Sequence, residues 1–189
     1  MDILSIIILG IGLAMDCFAV SVSKGVCAKK LHFFSTLKMA LLFGFFQGIM
    51  PLIGFFAGIS FAHQIEAFDH WVAFVLLFII GGKMIYEGLQ PHDPDCSTDK
   101  NPFKWSTLIS LAIATSIDAL ATGIIFINYP HLIWISIAII GIISFLFSFL
   151  GMYIGVRFGN KFHVKVEVIG GIILIGIGLK ILIEHIYLA

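Results

Sequence analysis

Long apolar runs broken by short polar stretches dominate the chain. Six runs fall at roughly 3–23, 36–60, 71–90, 105–127, 132–155 and 166–187. Each is long enough to cross a hydrocarbon core about 30 Å thick, which takes about 20 apolar residues in a helix. Lipid offers no hydrogen-bond partner to a free backbone group, so every run is expected to be an α-helix. The pattern therefore predicts an all-α polytopic membrane protein with six transmembrane helices. The first run starts at the acidic Asp2 and contains Asp16. It is too long and too acidic for the apolar region of a signal peptide, so it is read as a span of the working protein.

Composition supports the bilayer. The 189 residues are 60% apolar and 12% charged, against about 45–50% and about 25% in soluble domains. Mean hydropathy is +1.09. Eleven basic and eleven acidic residues balance, so no basic excess points to nucleic acid. Cys17, Cys27 and Cys96 form no metal-ligand spacing, and no disulfide framework is expected.

Charge sets the expected orientation. Lys24, Lys29, Lys30, Lys38, Lys100, Lys104, Arg157, Lys161 and Lys165 all flank the connections after runs one, three and five. The other connections, FAHQIEAFDH and NYPH, carry neither Lys nor Arg. By the positive-inside rule the lysine-rich side is cytoplasmic and both termini lie outside. The polar stretch 91–104 divides the chain into a first half, 1–90, and a second, 105–189.

The halves resemble each other. Gly44, Gly54 and Gly58 recur as Gly141, Gly151 and Gly155, 97 positions later. GGKMIYE at 81–87 recurs as GLKILIE at 178–184 with the same offset. Asp16 pairs with Asp118, 102 positions on. Three spans per half is odd, so the second half enters the membrane from the opposite side. That is the inverted-repeat design of many secondary transporters, whose sites lie near the midplane. Duplication that merely builds a stable bundle is the plainer alternative.

Asp16 and Asp118 carry the chemistry. Each lies well inside its run, where an Asp costs about 2.5–3.5 kcal/mol to insert. Intramembrane ionisable residues mark functional sites by default. A divalent cation neutralises two carboxylates, and protons can replace it. Oxygen ligands suit Mg2+, Ca2+ or Mn2+. Every histidine lies in a loop or near a run's end, which argues against a dedicated Zn2+ or Cu2+ path. Gln47 offers an amide oxygen to a metal or a helix–helix hydrogen bond. Thr115, Ser116, Thr122, Ser21, Ser23 and Ser144 are either further oxygen ligands or small packing residues. Met15 and Cys17 flank Asp16 but point to other helix faces, and are read as packing. Pro51 is expected to kink its helix and free a carbonyl. Lys83 with Glu87 and Lys180 with Glu184 have the i, i+4 spacing of surface pairs that snorkel toward water.

GLAMDCFAVSVSKG at 12–25, IATSIDALATG at 113–123, FGFFQGIMPLIGFFAG at 43–58 and HWVAFVLLFIIGGKMIYEG at 70–88 resemble the MntP-type manganese efflux pumps, a family related to the lysine-exporter superfamily. The resemblance covers essentially the whole chain. It implies a bacterial inner-membrane Mn2+ exporter with Asp16 and Asp118 as its key cation-binding positions. Position 47 is acidic in some members of that family and Gln here, which removes one negative charge.

The expectation is a Mn2+ exporter working by alternating access, with proton coupling as a hypothesis. Asp16, Asp118, Gln47, Ser116 and Thr122 are the expected metal-site residues. Mn2+ is cargo, and no cofactor is expected. Competing readings are export of other divalent or small organic cations, an intramembrane aspartyl hydrolase, and a membrane scaffold. The hydrolase reading is weakened because the chain lacks Gly-x-Gly-Asp. Monomer and homo-oligomer fit the pattern equally.

Overall fold

The structure is a computed structural model that describes residues 2–28, 30–65, 69–89, 103–158 and 166–188. Every regular element in it is helical. α1 spans Ile3–Ala28, α2 Phe33–Ile65, α3 Asp69–Leu89, α4 Trp105–Thr115 and α5 Ile117–Thr122. 3-10 segments follow at Gly123–Asn128 and Pro130–Leu132, then α6 at Ile133–Phe158 and α7 at Val166–Leu188. Ile- and Phe-rich stretches form helices here because the helix satisfies its own backbone while every face stays apolar. Phe34, Phe45, Phe56, Ile79, Ile142 and Leu150 are exposed, the signature of a surface turned to lipid rather than water.

The protein is an all-α polytopic membrane protein. Among the described residues, four stretches are long and apolar enough to cross a bilayer: Ile3–Ala28, Phe33–Ile59, Trp105–Ile127 and Pro130–Phe158. The remaining two expected runs correspond to α3 and α7, of 21 and 23 residues.

One expectation is corrected. The fourth run is not one continuous α-helix. It breaks at Ser116, whose φ/ψ of −106°/4° lies outside the helical range, and tightens to 3-10 geometry after Gly123. The cause is local. The Thr115 hydroxyl donates to the Leu111 carbonyl at 2.9 Å and the Ser116 hydroxyl to the Ile113 carbonyl at 3.0 Å. The Ser116 N–H also turns to Ile113 O at 3.1 Å. Side-chain hydroxyls that bond back to the preceding turn bend and weaken a helix. α2, by contrast, runs on through Pro51.

A second correction concerns sulfur. Cys17 is a free, buried thiol, whereas Cys27 is disulfide-bonded. Its partner lies outside the described residues.

Glycines set how the helices cross. Gly25 packs on the Met152 carbonyl, and Gly10 on Ile140 and Ile143, so α1 and α6 run parallel. Gly54 meets the Leu120 carbonyl and Gly58 meets Ile124 and Ile127, so α2 runs parallel to the α5 segment. Gly44 meets Gly141, and Gly48 meets Ile137, so α2 and α6 are antiparallel. Gly81 meets Gly171 and Gly178 meets Phe74, which makes α3 and α7 antiparallel as well. Without side chains at these crossings the backbones approach to contact, the usual device for helix association in lipid.

Two apolar clusters hold the bundle. Ile6, Leu9, Leu13, Leu77, Ile140 and Leu174 join α1, α3, α6 and α7. Met39, Phe43, Leu108, Ala112 and Met152 join α2, α4 and α6 around Cys17. Lys38 fixes the start of α2 to the start of α4, donating to the Phe103 carbonyl at 2.7 Å and lying 4.7 Å from the centre of the Trp105 ring.

Candidate functional site

Cys17 is the meeting point of four helices. Its Sγ lies 3.7 Å from Gln47 Oε1 on α2 and 3.7 Å from Thr115 Oγ1 on α4, and its single S–H proton serves either acceptor. The Ser148 hydroxyl of α6 lies beside it. Gln47, fully buried, donates from Nε2 to the Leu13 carbonyl of α1 at 3.0 Å. Both ends of the Gln47 amide therefore engage α1. Gln47 thus makes a helix–helix hydrogen bond, one of the two roles expected of it. Met15 is buried in the apolar cluster, as expected of a packing residue.

Asp16 and Asp118 both lie near this junction. They lie within electrostatic reach of each other, and Cys17 senses both. Asp118 opens α5, directly after the break at Ser116. Both of its carboxylate oxygens are buried and neither has a hydrogen-bond partner. The backbone N–H groups of Asp118 and Ala119 face the carboxylate without closing a bond. Lys83 on α3 is a cation within electrostatic reach of Asp118.

A buried polar group without a partner costs about 1–3 kcal/mol, and a charged one more. Native structures keep few such groups, and each calls for a reason. Besides Asp118, the described residues with buried unpartnered side-chain oxygens are Ser21, Thr36, Ser144 and Ser148.

The other expected ligands behave differently. The Ser116 hydroxyl donates to Ile113 O at 3.0 Å and the Thr122 hydroxyl to Ala119 O at 2.7 Å. Each proton is committed to backbone, which leaves only the hydroxyl lone pairs for a cation. Among the described residues, no group of three or more His, Cys, Asp or Glu is arranged to hold a metal. Two carboxylates with neutral oxygens about them are what the fold supplies.

Sequence reasoning passed over Ser148 and read Cys17 as packing. The available signal for Ser148 was its spacing, one helical turn after Ser144 on the same face. The Lys–Glu pairs resolve in part. Lys180 donates to Ser5 Oγ at 2.9 Å and lies 3.9 Å from the Asp2 carboxylate at the start of α1. The Glu87 and Glu184 side chains lie outside the described residues.

An all-α bundle with an apolar exterior and a buried carboxylate inside one of its spans is a polytopic membrane protein. The chain belongs to the manganese efflux pump family, whose model, described as "Putative manganese efflux pump", matches residues 30–182. It is similar to proteins titled "Putative manganese efflux pump MntP" in several bacteria. The Ruminiclostridium cellulolyticum protein is 46% identical over 188 residues, covering 99% of this chain and 98% of the relative. The Rippkaea orientalis protein is 50% identical over 184 residues, 97% of each chain. The Phocaeicola vulgatus protein is 48% identical over 193 residues, the whole of each. No solved structure matches the chain. The family is one of transporters, so the chain is not an enzyme.

Proposed function

We propose that this protein exports Mn2+ from the bacterial cytoplasm by alternating access, binding the ion between Asp16 and Asp118. The observation that carries the reading is Asp118, a carboxylate within a membrane span whose buried oxygens lack any partner. A second carboxylate, Asp16, lies within its field. A divalent cation removes both costs at once: it neutralises the pair and gives Asp118 a ligand. Hard oxygen donors without imidazole or thiolate suit Mn2+, and the family's description supplies the choice of manganese. Mn2+ is cargo here, not a resident cofactor.

In this reading six spans form two inverted three-helix repeats, 1–90 and 105–189, joined by 91–104. Glycine contacts support it. Gly44 and Gly141, counterparts in the repeat, touch each other, as residues beside a pseudo-two-fold axis do. Gly54 meets Leu120, while its counterpart Gly151 meets Phe18, the counterpart of Leu120. Gly58 meets Ile124, and Gly155 meets Val22, again a matched pair. Helix directions along α1, α2, the fourth run and α6 alternate as six successive crossings require. The lysine-rich connections support an orientation with the Lys38 and Arg157 side cytoplasmic and both termini outside, and in this reading the membrane is the bacterial inner membrane. Proton uptake by the carboxylates accompanies release of the ion, which makes the protein an antiporter.

The test is Mn2+ binding by calorimetry to purified wild type, Asp16→Asn and Asp118→Asn, alongside transport into liposomes. Loss of affinity in both variants, with a luminal pH change that tracks Mn2+ under clamped voltage, is expected. Equal binding by all three proteins would sink the carboxylate site. Transport without a pH change would remove the proton.

A further inference from the structure

Hydroxyls that serve helix packing in this protein bond back to their own helix. Ser136 donates to Leu132 O at 2.8 Å, Thr115 to Leu111 O at 2.9 Å and Thr122 to Ala119 O at 2.7 Å. Ser21, Ser144 and Ser148, like Thr36 at the start of α2, break this pattern. All three serines are fully buried, and none has a hydrogen-bond partner. They also lie together. Ser148 is beside Cys17. Ser21 follows Cys17 by one turn of α1, and its Cβ would lie 3.0 Å from a Cβ on Gly151 of α6. Ser144 precedes Ser148 by one turn. The order Ser144, Ser148, Ser21 thus runs along the α1–α6 interface, from the level of the aspartates toward the lysine-rich end.

Beyond Ser21 the interface is shut. A Cβ on Gly25 would stand 2.6 Å from the Met152 carbonyl, and one on Gly155 would overlap the Val22 carbonyl. At this closure backbone meets backbone, so opening it there needs α1 and α6 to separate as helices rather than a side chain to swing aside.

We propose that Ser144, Ser148 and Ser21 form the cytoplasmic half of the cation's path, offering successive oxygen ligands to a partly hydrated divalent ion once α1 and α6 separate. The proposal rests on the carboxylate site described above. Neutral hydroxyls hold a hard cation weakly, so each step binds it without trapping it, as conduction demands. The charge is captured only at the Asp pair.

The experiment compares the triple variant Ser21→Ala/Ser144→Ala/Ser148→Ala with wild type and with Ser136→Ala. Calorimetry in detergent reads Mn2+ affinity, and inside-out vesicles read the initial rate of Mn2+ accumulation. The triple variant is expected to keep its affinity within about twofold and to lose about tenfold in rate, the mark of an interaction off the binding site. Ser136→Ala keeps both. A triple variant that transports within about twofold of wild type overturns the proposal. Asp16→Asn and Asp118→Asn, run in parallel, report on the carboxylate site separately, because they lose affinity whatever the hydroxyls do. A second measurement uses Ser148→Cys with a membrane-impermeant thiosulfonate, the modified residue being located by mass spectrometry. Modification in inside-out vesicles, and not in intact cells stripped of their outer layers, is expected. Modification from the opposite side alone overturns the path.

Discussion

Gly44 and Gly141 touch across the α2–α6 crossing, each facing the other's carbonyl oxygen. A methyl on Gly44 would stand 2.8 Å from Gly141 O and 2.9 Å from the Phe145 Cβ, and one on Gly141 would stand 3.0 Å from Gly44 O. Backbone cannot yield as a flexible side chain does, so either alanine forces the helices apart. Gly44→Ala and Gly141→Ala should each cost about 1–3 kcal/mol, the usual range for overpacking, with Gly44→Ala the worse because it meets two neighbours. Gly176 has nothing within 4 Å, and Gly176→Ala should instead gain roughly 0.5–1 kcal/mol from helix propensity. Unfolding of the three variants in detergent, followed by helical signal, checks the ranking. Equal effects at Gly44 and Gly176 would contradict the close crossing.

Much of this was legible in the chain, for physical reasons. Lipid requires closed helices, so apolar runs gave the helices to within a few residues, as in the run 3–23 against α1 at Ile3–Ala28. The recurrence of Gly44 at 141 and Gly54 at 151 pointed to crossings because only glycine permits backbone contact there. Asp16 and Asp118 stood out because charge is costly in hydrocarbon. The break at Ser116 was not legible. Thr115 and Ser116 have ordinary helix neighbours, and only the competition of their hydroxyls for Leu111 and Ile113 opens the turn. The role of Cys17 was hidden for a different reason. A thiol beside Asp16 reads as packing until the fold delivers Gln47 and Thr115 to it.

Gln47 separates a strut from a ligand. Its Nε2 is bound to Leu13 O and its Oε1 faces the Cys17 thiol, so Gln47→Leu removes a link between α1 and α2 at nearly constant volume. The Leu13 carbonyl keeps its place in the helix ladder, so the loss should be about 0.5–1.5 kcal/mol, the net worth of one hydrogen bond. Mn2+ affinity should fall by less than about tenfold, since only a direct ligand to the ion carries the larger loss of a charged contact. Thermal unfolding and calorimetry on the same sample decide it. An affinity loss equal to that of Asp16→Asn would make the amide oxygen a direct ligand.

Asp118 divides stability from transport. Its carboxylate is buried without a hydrogen-bond partner, so the protein bears a desolvation cost whenever the ion is absent. Asn has nearly the same shape and no charge to bury. Metal-free Asp118→Asn should therefore be more stable than metal-free wild type, by about 1 kcal/mol if half the polar penalty is relieved. Adding Mn2+ should reverse the order. At about 100 times Kd the ion stabilises wild type by about 2.7 kcal/mol, as mass action requires, while the variant gains nothing and fails to transport. A residue that merely braced α5 would behave oppositely: its loss would lower stability in the apo state and leave the response to Mn2+ intact. Thermal melts of both proteins with and without Mn2+ read the two signs directly, and a destabilised, Mn2+-responsive variant would make Asp118 a structural residue.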